Sequence, residues 1–181
     1  MKSIKKMTIA ELAAYVCSHL KDHDINCVLT GGACITIYTN NKYQSFDIDF
    51  IDNDFTPQKK LKEVMEKIEF YELNRYFKNA DSEYIIEFPT GPLSIGSQKV
   101  RTVDKMEFDT GILNIISPTD SVKDRLAAYF YWDDKQSLEQ ALMLCRDQQI
   151  NIREVEQWAK AEGQAEKFKN VKKSLTKQNK Q

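Results

Sequence analysis

Val28-Leu29-Thr30-Gly31-Gly32-Ala33 is followed, thirteen residues after the second glycine, by Ser45-Phe46-Asp47-Ile48-Asp49-Phe50. The first run reads as a buried strand entering a diglycine turn and then a short helix, Ala33 to Tyr38. The second reads as a strand, Ser45 to Asp52, that carries two carboxylates two residues apart. Side chains at i and i+2 of a strand share a face. Asp47 and Asp49 therefore project together, while Phe46, Ile48 and Phe50 point the other way. Two acids on one face beside a glycine turn are what a divalent cation and a nucleoside triphosphate require.

The acids carry most of the weight. Aspartate is disfavoured in strands, and like charges on one face repel. A positive ion between them offsets that repulsion, and metal-assisted phosphoryl transfer uses carboxylates in this way. The ordinary alternative is an edge strand with its polar face in water, a pattern that the neighbouring Gly31-Gly32 turn makes less economical. That turn could simply redirect the chain. It could also aim the first backbone N–H groups of the short helix at a triphosphate. The sequence has no Gly-x-x-x-x-Gly-Lys-Ser/Thr and no Gly-x-Gly-x-x-Gly, which excludes a P-loop and a dinucleotide fingerprint. The acidic run after Asp47 lacks the glycine of a calcium loop at its sixth position, where Asp52 stands. A third acid, Glu87, lies in the apolar run Tyr84-Ile85-Ile86-Glu87-Phe88. It is either a third metal ligand, a general base for an attacking hydroxyl, or an outward-facing residue of a half-exposed strand.

Working outward, Thr8 and Glu11 form a capping box ahead of Ile9, Leu12, Ala13, Val16 and Leu20 at helical spacing. Asp22-His23-Asp24 ends that helix. Pro57 opens another, with Leu61, Val64, Met65 and Ile68 on one face. A β-rich middle runs from Tyr76 through Pro89-Thr90-Gly91-Pro92, with weaker strands at 93–95 and 99–103. It ends in a hairpin or bent strand over 108–116, interrupted by Gly111. Ser117, Pro118 and Asp120 start a helical last third, with successive stripes at Val122, Leu126 and Phe130, at Leu138, Ala141 and Cys145, and at Val155 and Trp158. From Lys167 onward the chain is rich in Lys, Gln and Asn and is expected to fray or be disordered.

Positive and negative side chains nearly cancel, 26 Lys and Arg against 27 Asp and Glu, so global charge points to neither nucleic acid nor membrane. No apolar run approaches a membrane span, and the basic N-terminus lacks the apolar region of a secretory signal. The four cysteines show no Cys-x-x-Cys spacing. They read as buried reduced thiols, which suits a cytoplasmic protein.

Hydrophobic-Gly-Gly, a short spacer and Ser-x-Asp-hydrophobic-Asp together resemble the nucleotidyltransferase superfamily with the DNA polymerase β-like fold. The resemblance covers residues 8–117. The helical part is similar to the AbiEii-like nucleotidyltransferases of abortive-infection and toxin–antitoxin systems. Those carry Lys-Leu-x-Ala-x-x-x-Arg and then Lys-Asp-x-x-Asp. Here the run is Arg125-Leu126-Ala127-Ala128-Tyr129-Phe130-Tyr131-Trp132, then Lys135-Gln136-Ser137-Leu138-Glu139. Arg125 keeps the first charge, while Trp132, Gln136 and Glu139 replace the arginine and the two aspartates.

The resemblance implies an α/β (α+β) fold: a small mixed sheet with flanking helices over 1–117, a C-terminal helical bundle over 118–166, and a basic flexible tail over 167–181. It implies Mg²⁺ held by Asp47, Asp49 and Glu87, and an NTP contacted by Gly31, Gly32, Ser45, Lys123 and Arg125. The acceptor hydroxyl would belong to RNA, a protein or a small molecule. The alternative implied by the departures is an inactive nucleotide- or protein-binding member, such as one half of a toxin–antitoxin pair with a partner protein.

Overall fold

Strand β1 (Cys27–Thr30) is a mostly buried run that starts three residues after Asp24, whose φ of 57° turns the chain back after the first helix. The computed structural model describes residues 2–179. Before β1 comes helix α1 (Ile9–Lys21), closed at its start by the reciprocal Thr8–Glu11 capping box. After it come α2 (Gly31–Tyr38), β2 (Asp47–Asp52), α3 (Gln58–Glu66), β3 (Tyr71–Leu73), β4 (Tyr76–Lys78) and β5 (Ile85–Glu87). The small hairpin β6 (Ser94–Ile95) and β7 (Gln98–Lys99) leads to β8 (Val103–Phe108) and β9 (Gly111–Ile116). Four helices finish the chain: α4 (Pro118–Trp132), α5 (Lys135–Asp147), α6 (Ile152–Ala161) and α7 (Ala165–Gln178).

Seven strands make one mixed sheet in the order β3-β4-β5-β2-β1-β9-β8, and β6-β7 stands apart. β2 pairs antiparallel with β1 and parallel with β5, so the acid-bearing strand is interior and hydrogen-bonded on both sides. The ordinary alternative of a solvated edge strand is thereby excluded. β1 in turn lies parallel to β9, through Leu29 and Ile115. The bent strand expected over 108–116 resolves into the β8–β9 hairpin, with Phe108 opposite Gly111. Pure pattern reading missed β3, whose Tyr71 and Leu73 are exposed on an edge.

α1 packs on β1, β8 and β9, while α2 packs on β1 and β2 and touches α4 and α5 on its other side. Leu12, Leu20, Leu29, Ile35, Ile48, Phe50 and Ile115 are sealed between these layers. Tyr38 ties α2 to the sheet by donating its hydroxyl to the Ile116 carbonyl at 2.8 Å. α4 joins the two halves of the molecule: it packs on α2 and β6 and also on α5 and α6. Phe130 of α4 stacks on Trp158 of α6, with ring centroids 6.1 Å apart. Burial of aromatic pairs of this kind contributes beyond their apolar area.

The expectation of a disordered tail does not hold for its described part. Ala165–Gln178 is helical, and Phe168, Val171 and Leu175 are buried against α5 and α6. Three apolar residues at helical spacing form a narrow stripe that suffices once a docking face exists; the lysines around it occupy the solvent side. Residues 180 and 181 lie outside the described residues. No helix among the described residues is long and apolar enough to cross a membrane. Cys17, Cys27, Cys34 and Cys145 are all free and buried, as their apolar neighbours predict.

Candidate functional site

β2 is the element from which the site is built. Ile48 and Phe50 point into the core, and Asp47 and Asp49 take the opposite face, Asp47 exposed and Asp49 partly buried. The period-2 reading of this strand therefore describes the side chains correctly from Asp47 onward. Phe46 departs from it. It lies ahead of the strand, is exposed, and stacks on Tyr84 with centroids 6.3 Å apart.

Across the sheet, Asp49 has Thr30 as its neighbour on β1 and Glu87 as its neighbour on β5. Three carboxylates, Asp47, Asp49 and Glu87, thus share one region of one sheet face. Burial raises the Asp49 carboxyl, and the charges of Glu87 and Asp47 push it further, to about 6. Arg125 works against that rise by favouring the ionised form. The all-oxygen donor set suits a hard divalent cation. The three groups do not, however, form a ready-made cage: among the described residues, no three His, Cys, Asp or Glu side chains are gathered closely enough to hold a metal ion.

The diglycine turn meets this face directly. Gly31 has φ +71°, and a Cβ there would lie 2.2 Å from Oδ2 of Asp49. Both the left-handed backbone and the close approach demand glycine. A Cβ on Gly32 would come 3.2 Å from the Ser45 hydroxyl. That hydroxyl donates to the Asp47 carbonyl at 3.0 Å and accepts from the Asp47 N–H at 3.2 Å, fixing the entry to β2. Ser45 is therefore a brace for the acids as well as a neighbour of the turn. Helix α2 begins at Gly31 with no side chain capping its N-terminus, which leaves its first N–H groups for another acceptor.

A cleft of about 360 Å³ opens here, lined by Thr30, Gly31 and Asp49 on one side and by Asp124 and Arg125 of α4 on the other. Leu93, Ser94 and Ile95, at the start of the small hairpin, form a further wall. Arg125 is oriented by two partners, donating Nε to Asp124 at 3.0 Å and Nη1 to Gln140 at 3.3 Å. Burial is the largest influence and opposes the Arg125 charge, but the Asp124 carboxylate, by charge and hydrogen bond, and other groups nearby together leave it raised.

Gly31, Asp49 and Arg125 line the cleft together; Asp47 and Glu87 adjoin Asp49 along and across the sheet without lining it, and Gly32 and Ser45 lie beside the turn. The structure does not bring Lys123 there. That ammonium is held by Asp120 at 2.8 Å and by Glu154 at 2.6 Å, and it faces a different cleft with Ser97 and Arg101. A change of two residues along α4 rotates the side chain through about 200°, so Lys123 and Arg125 occupy different faces. Sequence reasoning missed Asp124, Gln140 and the 93–95 wall. Asp124 sits next to Arg125, a spacing at which helical side chains normally diverge, so nothing in the pattern signalled their pairing.

No protein-family model matches the chain, and no curated protein matches it in sequence. Among solved structures it is similar to an antigenic nucleotidyltransferase-like protein from Paracoccidioides brasiliensis, at 12% identity and a TM-score of 0.61, covering 94% of each chain. It also matches the antibiotic-resistance factor ANT(2'')-Ia in solution, at 13% identity and a TM-score of 0.48, covering 93% of this chain and 94% of that one. A crystal structure of ANT(2'')-Ia with adenylyl-2''-tobramycin gives 12% identity and a TM-score of 0.47, covering 93% of this chain and 97% of that one. The arrangement of sheet and helices, matched over 94% of each chain, gives this chain the fold of the Paracoccidioides brasiliensis nucleotidyltransferase-like protein.

Proposed function

We propose that the cleft binds an NTP with a divalent cation, Mg²⁺ by its donor chemistry, and transfers the nucleotidyl group to an acceptor hydroxyl of RNA, a protein or a small molecule. The observation that carries this reading is the contact of Gly31 with Asp49. A helix N-terminus with open N–H donors and a half-buried carboxylate are pressed together, facing Arg125. Asp47, Asp49 and Glu87 are the groups that would hold the cation, which supplies charge neutralisation at the phosphates when bound. The first N–H groups of α2 would donate to phosphate oxygens, and Arg125, already fixed by Asp124 and Gln140, would neutralise the remaining charge. Glu87, the register neighbour of Asp49, would serve either as the third ligand or as the base that takes the proton of the attacking hydroxyl.

A second reading, nucleotide or partner-protein binding without transfer as in a toxin–antitoxin component of the AbiEii-like kind, is favoured by the absence of a preassembled three-acid group among the described residues. Calorimetry with MgATP and MgGTP, followed by transfer of α-labelled nucleotide onto lysate, separates the two. Binding with transfer supports the enzyme, and binding without transfer supports the module. Asp47→Asn combined with Asp49→Asn should abolish Mg²⁺-dependent binding while leaving the fold intact. A double variant that still binds MgNTP as tightly as the parent overturns the assignment of the site.

A further inference from the structure

The wall at 93–95 belongs to a hairpin that is fastened to the helical half of the molecule at two points. Ser94 pairs with Lys99 and Ile95 with Gln98, and the Val100 N–H donates to the Leu93 carbonyl at 3.1 Å. At the first fastening, the buried Trp158 indole donates its Nε1–H to the Ile95 carbonyl at 3.1 Å. At the second, Glu162 at the end of α6 accepts from the Ser97 N–H at 2.9 Å and from the Ser97 hydroxyl at 2.6 Å. Its other oxygen accepts from the Tyr131 hydroxyl at 3.1 Å. Gly96 at the hairpin tip has φ +60°, and a Cβ there would lie 2.3 Å from a Glu162 oxygen. The left-handed backbone favours glycine at the tip, and the Glu162 carboxylate lies directly against it.

We infer that Glu162 is a positioning residue that holds the β6–β7 hairpin as the wall of the Asp49–Arg125 cleft, so that Leu93 and Ile95 set the size of what enters. This rests on the nucleotide-site reading above. The hairpin pairs only with itself and joins no edge of the large sheet. Its two strands span only Ser94–Ile95 and Gln98–Lys99, too little to hold a shape unaided. Its place over the cleft is thus supplied from outside, by the packing of β6 on α4 and by the hydrogen bonds from Trp158 and to Glu162. Trp158 is locked in the core by Phe130 and fixes one end. Glu162, at the protein surface, supplies charge-assisted hydrogen bonds to the tip.

Hydrogen exchange and MgATP titration on the full-length protein test this together. In Glu162→Ala, amides of 95–100 should exchange about tenfold faster while those of β9 stay unchanged, and MgATP affinity should fall about fivefold. Glu162→Gln, which keeps an acceptor for Ser97, should restore most of both. Unchanged exchange at the hairpin in Glu162→Ala overturns the fastening. Faster exchange with unaltered affinity overturns the wall. If the unsubstituted protein binds neither MgATP nor MgGTP, the nucleotide-site reading fails and takes the wall's role with it, and unchanged exchange in Glu162→Ala still overturns the fastening.

Discussion

Asp49 is an acid kept where its charge is unwelcome. Its carboxyl is raised from 3.8 to about 6, first by burial and then by Glu87 and Asp47. A raised folded-state value means that the folded protein binds the proton more tightly than the unfolded chain does. The associated stability is fully present below the unfolded value and is lost as pH rises through the folded one. Metal-free Asp49→Asn should therefore be more stable than the parent at pH 7.5, by roughly 1–3 kcal/mol after discounting for solvent contact. It should also lose the parent's decline in stability between about pH 4 and pH 6. Urea melts in EDTA across that range provide the check, and parallel pH profiles for the two proteins would show that Asp49 is not strained. The same residue explains what the sequence could reveal. Aspartates at i and i+2 state their common face in any strand, and the structure keeps them on it. The contact of Asp49 with Gly31 is a tertiary fact and leaves no periodic trace.

At the scale of elements, helix propensity and apolar stripes located α1 and the helices from α4 to α6, because each carries a cap and a buried face that are both written locally. Thr8 and Glu11, and Ser117 and Asp120, form the capping contacts that their spacing predicts, and Asn151 caps α6 by accepting from the Glu154 N–H. Two elements escaped for opposite reasons. β3 is a three-residue edge strand with outward Tyr71 and Leu73, too short to show alternation. α7 carries only the narrow apolar stripe of Phe168, Val171 and Leu175 in a lysine-rich background, and composition outweighed it. The helix should matter for stability. Leu175→Ala, at a fully buried position, is expected to destabilise the protein by roughly 2–5 kcal/mol. The exposed Lys169→Ala should change it by less than about 0.5 kcal/mol. Equal, small effects in chemical denaturation would return the segment to a loosely attached tail.

For the whole molecule, α4 is packed simultaneously on α2 and β6 and on α5 and α6. The sheet and the helical half should then lose their structure together. Trp158 is buried beneath Phe130, whereas Trp132 is 76% exposed. Unfolding should red-shift the emission of Trp158 with little change from Trp132. Far-UV circular dichroism and tryptophan emission are expected to give one coincident denaturation midpoint. Two separated midpoints would mean that the helical half unfolds independently. Sequence reading anticipated both halves but not their joint, since Lys123 and Arg125 differ by two positions in the chain and by opposite assignments in space.

The interior location of β2 has a lasting consequence. A strand gripped along both margins cannot slide or tilt to suit a new guest, so the pair of aspartates behaves as a fixed anvil. Whatever adapts to a bulkier or smaller molecule must do so in the flimsy ribbon opposite. Natural drift in preference should accordingly accumulate between Leu93 and Thr102, while the acid-bearing ladder stays still.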